Sequence, residues 1–175
     1  MTGDWHVERL DSSHQREAFD CGQESLNHFL QRFVGQYERR NLGRSYVVVR
    51  SGEKRIVGYY SLAAGSIPLA QLPPEFTKKL PKHPVPVALL ARLAVDRSVQ
   101  GVGIGKLMLL DCLRRCADFS QGLGIHAVEV RAINQAARRF YEKFGFVPLL
   151  DDELHLFLPM TTIHKIFPHP GGAAT

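Results

Sequence analysis

Residues 91–109 read ARLAVDRSVQGVGIGKLML, in which an apolar run passes through a glycine-rich turn into a second apolar stretch. The near-continuous apolar residues at 87–95 predict a buried central strand, and the residues after Gly103 predict a helix. Glycines allow a backbone to approach a ligand closely, and a helix start offers unpaired N–H groups at the positive end of its dipole. This combination predicts a site for phosphate groups.

Two common phosphate-binding motifs do not fit this turn. A Walker A loop needs a glycine five residues before Gly105, where Gln100 stands, and a hydroxyl residue where Leu107 stands. A dinucleotide-binding G-x-G-x-x-G loop needs a third glycine where Lys106 stands. The pattern that remains is Q-x-x-G-x-G, formed by Gln100, Gly103 and Gly105.

The remaining sequence predicts a mixed sheet with helices packed on it, in the order β-α-β-β-β-α-β-α-β. Six prolines within residues 68–86 predict a long irregular loop. Asn134 is expected to be the N-cap of a helix over about residues 135–144. An amphipathic helix over about residues 23–39 is predicted from apolar residues that recur at helical spacing and so share its buried face. Those residues are Leu26, Phe29, Leu30, Phe33, Val34 and Tyr37.

The composition is that of one globular domain, since 175 residues with 45% hydrophobic and 22% charged side chains exclude wholesale disorder. No window approaches the roughly 18 apolar residues of a membrane span, and the first residues lack a secretory signal. A soluble cytoplasmic protein without contact to a membrane is therefore expected. Three cysteines argue against a disulfide framework. Cys112 and Cys116 are interpreted as core residues rather than half a metal site, and no metal is expected.

The net charge of +5 is unevenly distributed along the chain. Residues 1–31 carry a net charge of −4, residues 32–115 carry +10 and residues 116–175 carry −1. A basic middle region suggests an anionic partner, such as a phosphorylated cofactor or a nucleic acid. Charge alone leaves open the alternative of a basic surface that is simply solvated.

A second segment, NQAARRFYEKFGF at residues 134–146, fits the pattern N-x-x-A-x-x-F-Y-x-x-x-G-F. Together with QGVGIG after a buried strand, it resembles the GCN5-related N-acetyltransferases (GNAT), which use acetyl-CoA. The resemblance implies the α/β GNAT fold, with a mixed central sheet flanked by helices and splayed central strands. It covers residues 5–163 as one acetyltransferase domain and leaves residues 164–175 as a loose tail.

Several further segments narrow the resemblance to the acetyltransferase toxins of bacterial toxin–antitoxin pairs. Examples are DCGQESLNHFL at residues 20–30, IVGYYSLAAGSI at 56–67 and LFLPMTTI at 156–163. This likeness implies acetylation of the amino acid on charged tRNA, a block of translation, a ribbon-helix-helix antitoxin as partner and a homodimer. Two alternatives stay open: a GNAT enzyme acting on a small amine or a protein N-terminus, and an inactive GNAT fold that serves as a binding module.

The resemblance also assigns the site residues. Tyr141 is the expected catalytic acid, because a phenol of pKa about 10 is neutral at pH 7 and can donate a proton to a leaving thiolate. The thioester of acetyl-CoA is expected to lie against Leu93, Ala94 and Val95, and the pantetheine against Asn134 and Phe140. The pyrophosphate is expected to be bound by Gln100, Gly101, Val102, Gly103, Ile104, Gly105 and Lys106.

No carboxylate stands out as a general base, since Asp96 and Glu129 are merely the nearest to the motifs. A lysine amine has a pKa near 10.4, whereas an α-amine titrates near 7.7–8.0 and needs less help to lose its proton. A site without a base therefore favours the α-amine of an aminoacyl-tRNA. The residues expected to contact tRNA are Arg39, Arg40, Lys78, Lys79, Lys82 and Arg92, the last with its head group in the active-site cleft.

Overall fold

The computed structural model describes residues 3–168 and contains a seven-stranded sheet in the order β1-β2-β3-β4-β5-β7-β6. β1 pairs with β2, β2 with β3, and β7 with both β5 and β6, and all four pairings are antiparallel. The strands are β1 Trp5–Arg9, β2 Arg44–Arg50, β3 Gly58–Ile67, β4 Val85–Val95, β5 Ala127–Arg131, β6 Val147–Pro148 and β7 His155–Pro159.

The helices flank this sheet and confirm the predicted α/β class. None of them, within the described residues, has the length and apolar character needed to cross a membrane. Short 3₁₀ turns lie at Leu69–Gln71, Pro74–Phe76 and Arg97–Val99. The helices are α1 Glu24–His28, α2 Val34–Arg39, α3 Ile104–Phe119, α4 Gln135–Glu142 and α5 Met160–Ile166, with a π-helical segment, Phe29–Phe33, between α1 and α2.

The last helix was not predicted. α5 includes residues 164–166, so the expectation of a loose tail from residue 164 onward was wrong at its start, while residues 169–175 lie outside the described part of the chain. Thr161, Thr162 and Ile163 are β-branched and have low helix propensity, which hid the helix in the sequence. Burial of Met160 and Ile163 anchors it instead.

Contacts divide the chain into two compact units. The first unit comprises Met1–Ala63 and Leu90–Cys112, and the second comprises Ala64–Leu89 and Leu113–Thr175. In the first unit, a Cβ atom at Gly58 would lie 3.2 Å from side-chain atoms of both Ile104 and Met108. Glycine at this position therefore lets the first turns of α3 lie directly on β3.

The helical segment of the first unit is not one regular α-helix. The Val34 N–H donates to the carbonyl of Phe29, five residues earlier, which is the π-helical bond. Phe33 is 42% exposed, whereas Leu30 and Val34 are fully buried. The prediction that Phe33 belongs to the buried face was wrong, because the wider turn holds one extra residue and rotates it off that face.

In the second unit, the proline-rich segment closes over its own core. Leu72 is buried, and the ring of Phe76 packs edge-on against Phe157 with centroids 5.0 Å apart. The irregular loop predicted for residues 68–86 is confirmed as far as residue 84, and β4 begins at Val85. Cys112, in the first unit, and Cys116, in the second, are both fully buried, as expected of core residues.

Candidate cofactor and acceptor sites

The glycine turn before α3 owes its shape to backbone conformation. Gly101 has φ +82° and Gly103 has φ +94°, both in the left-handed region that residues with a Cβ atom avoid. A Cβ atom at either position would meet nothing within 4 Å. The turn therefore requires glycine for its dihedral angles, and it leaves open space around its backbone.

The same turn presents unpaired hydrogen-bond donors. No atom of residues 3–168 accepts from the N–H groups of Gly101, Val102 or Gly103. The N–H groups in the first turn of α3 have no partner within the helix, because α-helical bonds begin four residues in. Successive free donors at the positive end of a 16-residue helix form a concave site for an anion, and they fit a pyrophosphate.

Gln100 shapes this turn through two side-chain hydrogen bonds. Its side-chain Nε2 donates to the Val95 carbonyl at 2.9 Å and to the Cys21 carbonyl at 3.2 Å. Gln100 was predicted among the cofactor-binding residues, but its amide is engaged in tying the strand end and residue 21 to the turn. We therefore assign its side chain a role in positioning the neighbouring N–H groups.

Asp96 fixes the short 3₁₀ segment that leads from β4 into the turn. Its carboxylate, which is almost fully buried, accepts from the Asp20 N–H at 2.9 Å, the Ser98 N–H at 3.0 Å and the Ser98 hydroxyl at 2.7 Å. Burial alone raises the pKa of the Asp96 carboxyl, but these donors and the nearby Arg55 outweigh it and hold the pKa below 3.8. A carboxylate so engaged is poorly suited to act as a general base.

Replacing Asp96 with alanine should lower the free energy of unfolding by about 1–3 kcal/mol, because buried donors lose their acceptor. A carboxyl whose pKa is lowered in the folded state stabilises the protein above its unfolded pKa, and this contribution is lost as the pH falls through the folded value. Urea denaturation should therefore separate Asp96→Ala from the wild type strongly at neutral pH, and the difference should shrink as the pH falls from 3.8 through the lowered pKa of the folded state. Asp4→Ala, at a side chain that is 73% exposed, is the control and should change little. An equal difference at both pH values would contradict the role of the charge.

A cleft of about 640 Å³ lies in the first unit between the helical residues 24–37 and residues 91–92 of β4. Arg92 lines it, with its Cζ atom 3.5 Å from the centroid of the Phe29 ring and 5.4 Å from that of Tyr37. Arg92 therefore lies in a cleft of this unit, and its predicted place in the active-site cleft stays a prediction. Ala94, two residues further along β4, belongs to the same core cluster as Phe29.

The predicted catalytic and pantetheine-binding residues lie in the second unit. Asn134 accepts from the Ala137 N–H at 2.9 Å through its side-chain oxygen, which confirms it as the N-cap of α4. Tyr141 is 6% exposed, and its ring packs edge-on against Phe140 and Phe146 with centroids 5.2 and 5.5 Å apart. The ring of Tyr141 is therefore held firmly, while its role as an acid stays a prediction.

Glu129, the other carboxylate near the motifs, is part of a buried polar chain in the second unit. Its side chain is 2.9 Å from His155 Nε2, and the opposite ring nitrogen of His155 is 2.9 Å from Asp151. Glu129 and His155 are both buried. Neither carboxylate singled out in the sequence is therefore free to accept a substrate proton.

The basic residues differ in how they are used. Arg44 donates to the Glu38 carbonyl at 2.9 Å and is part of the fold. Among the residues predicted to contact tRNA, five are exposed and form no ion pair with any residue in 3–168: Arg39 and Arg40 in the first unit, and Lys78, Lys79 and Lys82 in the second. These side chains are available to bind an external anion.

Some contributors to these sites could not be found in the sequence. Asp20 and Cys21 brace the glycine turn through backbone groups, which carry no side-chain signature. The two rings that support Arg92 were visible in the sequence through the helical spacing of Phe29 and Tyr37. The same spacing is equally typical of residues on the buried face of a helix.

Comparisons with known proteins agree with this geometry. Residues 5–146 match the acetyltransferase (GNAT) family. The chain is 37% identical over 160 residues to the tRNA-acetylating toxin of Mycobacterium tuberculosis (strain ATCC 25618 / H37Rv), covering 91% of this chain and 95% of that one. It is 35% identical to the solved structure of AtaT complexed with acetyl-methionyl-tRNAfMet, with a TM-score of 0.87 and coverage of 94% and 99% of the two chains.

A further solved structure is a tyrosine-to-phenylalanine mutant of the AtaT toxin bound to the C-terminus of the antitoxin AtaR and acetyl-CoA. Its TM-score is 0.81 at 32% identity, and the match covers 95% of this chain and 99% of that one. The likeness thus extends over nearly the full length of both proteins. The family match, over residues 5–146, includes the glycine turn and α4. The chain belongs to the acetyltransferase (GNAT) family.

Proposed function

We propose that this acetyltransferase transfers the acetyl group of acetyl-CoA to the α-amine of an amino acid esterified to tRNA, and thereby blocks translation. The observation that carries the proposal is the near-full-length similarity to a tRNA-acetylating toxin. The glycine turn with its free N–H groups supports it, because it fits the pyrophosphate of the cofactor.

The residues have separate roles in the proposed reaction. Acetyl-CoA supplies a thioester, whose acyl carbon bonds to the amine nitrogen as its bond to sulfur breaks. A backbone N–H within residues 93–95 polarises the carbonyl oxygen, and the N–H groups of residues 101–106 hold the pyrophosphate. Asn134 and Phe140 lie along the pantetheine. Tyr141 donates its hydroxyl proton to the leaving sulfur, and the amine gives up a proton to solvent.

The absence of an available base among the described carboxylates near the motifs favours this acceptor. Asp96 and Glu129 are both occupied by hydrogen-bond partners. An α-amine, with a pKa near 7.7–8.0, is partly neutral at physiological pH, whereas a lysine amine near 10.4 is almost entirely protonated. The site is therefore better suited to an aminoacyl ester than to a lysine or a polyamine.

The proposal includes partners and a compartment. We expect a ribbon-helix-helix antitoxin, a homodimer, and action in the cytoplasm, where charged tRNA is found. The AtaT structure with the C-terminus of an antitoxin supports the first of these. A gene for a small ribbon-helix-helix protein beside the gene for this chain would support the antitoxin, and its absence would count against it.

The proposed activity is tested by incubating the protein with acetyl-CoA and a pool of charged tRNA, then analysing the aminoacyl ends for N-acetylation. We expect acetylated α-amines on one or more aminoacyl-tRNAs. Polyamines and peptides with free N-termini serve as competing substrates. Turnover of these amines without acetylation of any aminoacyl-tRNA would overturn the proposal in favour of a GNAT enzyme acting on small amines or protein N-termini.

Reversing charge in the proline-rich loop should weaken tRNA binding and leave acetyl-CoA binding unchanged. Lys78 and Lys79 are exposed and form no ion pair within the described part of the chain. Phosphate contacts release counterions, so tRNA affinity falls with salt. The Lys78→Glu/Lys79→Glu variant should reduce the magnitude of the log–log salt slope by about 2. The control is Lys54→Glu/Lys165→Glu, which changes the net charge equally. An equal loss of tRNA affinity in both variants would show that only the net charge of the protein matters.

A further inference from the structure

We propose that the guanidinium of Arg92, held over the ring of Phe29, binds a phosphodiester in the 3′-terminal nucleotides of charged tRNA. The inference rests on the proposed function and deepens it, because it assigns one side chain to one group of the substrate. It concerns the cleft of the first unit, between residues 24–37 and residues 91–92.

The aromatic support of Arg92 is rigid. Phe29 is 5% exposed, and its ring is fixed by Tyr37, edge-on with centroids 5.0 Å apart, and by Tyr59, stacked at 6.3 Å. The Tyr59 hydroxyl in turn donates to the Leu26 carbonyl at 2.6 Å. A guanidinium lying 3.5 Å from such a ring is oriented before any ligand arrives.

The charge of Arg92 is not neutralised within the described chain. No carboxylate of residues 3–168 forms an ion pair with it, although Glu24 and His28 also line the cleft. A half-buried arginine without a counterion is costly unless a ligand supplies one. Because the ring covers one face, the N–H groups along the edge remain available, and they suit the bidentate binding of a phosphate.

The position of Arg92 on β4 selects the part of the substrate. Strands rise about 3.3 Å per residue, so Arg92 lies within about 10 Å along the strand of residues 93–95, where the thioester is proposed to sit. The acceptor amine must reach that point. The ester, the terminal ribose and its 5′ phosphodiester then follow within one nucleotide, and the volume of the cleft suits a group of that size.

The test uses two acceptors that differ in their phosphodiesters. Aminoacyl-adenosine has none, and aminoacyl-CCA has two. Arg92→Gln should raise KM for aminoacyl-CCA about 10-fold or more, as expected for the loss of a charged hydrogen-bond pair, and leave kcat nearly unchanged. Its kcat/KM for aminoacyl-adenosine and its acetyl-CoA affinity should stay at the wild-type values. Arg92→Lys should have a KM for aminoacyl-CCA between those of the wild type and Arg92→Gln, because lysine keeps the charge but lacks the planar guanidinium.

Phe29→Leu provides an independent variant, because it removes the support and leaves Arg92 in place. It should raise KM for aminoacyl-CCA while sparing aminoacyl-adenosine. An equal loss of kcat/KM for both acceptors, or no loss for either, would overturn the inference. A loss confined to acidic aminoacyl groups on both acceptors would also overturn it, since Arg92 would then read the side chain. Failure of the wild type to acetylate any aminoacyl substrate would instead overturn the proposed function.

Discussion

Replacing Tyr141 with phenylalanine is expected to lower the turnover of charged tRNA by about 10²–10⁴-fold, the usual contribution of a positioned acid. The change removes one hydroxyl and keeps the ring, so the packing against Phe140 and Phe146 should survive. A group that acts mainly in the transition state affects kcat rather than binding. Acetyl-CoA affinity, measured by calorimetry, should therefore stay nearly unchanged.

Tyr60 offers a matched control in the first unit. It is also buried, but its hydroxyl donates to the Asp111 carboxylate at 2.5 Å. Tyr60→Phe should lower the free energy of unfolding by about 1.5–3 kcal/mol, as for a hydrogen bond to a charged group, and leave turnover unchanged. Induced expression of the wild type should arrest growth, whereas expression of Tyr141→Phe should not. If Tyr141→Phe keeps most of the wild-type rate, Tyr141 is a core residue and the assigned acid is wrong.

Placing aspartate at Gly103 is expected to abolish measurable acetyl-CoA binding. An L-residue at φ +94° costs about 1–2 kcal/mol and distorts the turn, and the new carboxylate repels the pyrophosphate. Crowding contributes nothing, because a Cβ atom there meets no other atom within 4 Å. Gly103→Ala, which adds the strain without the charge, should bind acetyl-CoA with intermediate affinity in the same calorimetric titration.

Gly52 is the matched control for this prediction. It has φ +80° and equally open surroundings, but it lies in the turn between β2 and β3. Gly52→Asp should therefore destabilise the fold to a similar extent and leave acetyl-CoA affinity unchanged. Normal binding by Gly103→Asp would contradict the assignment of the turn, and equal loss in both variants would point to general destabilisation.

Local features of the site could be predicted from sequence because their causes are local. The glycine turn is encoded by residues that tolerate positive φ, and the N-cap at Asn134 by a side chain that reaches three residues ahead. The order of the elements from β1 to α4 followed from periodicity in the same way, whereas the two-residue strand β6 and the last helix α5 were missed.

Features that depend on distant residues could not be predicted. The hydrogen bond from Asp20 to Asp96 joins positions 76 residues apart, and the pairing of His155 with Glu129 spans 26. No local pattern encodes either contact. The predicted burial of Phe33 was wrong for a different reason. A helical repeat of 3.6 residues assumes a regular turn, and the π-helical bond adds one residue to that turn.

The fastening of the glycine turn by Gln100 and Asp96 has a thermodynamic consequence. Fixing the backbone of one residue costs about 1–2 kcal/mol in conformational entropy. Because side chains of the unliganded protein already hold the turn, this loss of freedom is part of the free energy of folding. Ligand association therefore does not have to order these residues, and a larger share of the interaction energy remains as affinity. Weakening the side-chain hydrogen bonds of Gln100 or Asp96 would transfer the entropic cost of ordering the turn from folding to ligand binding.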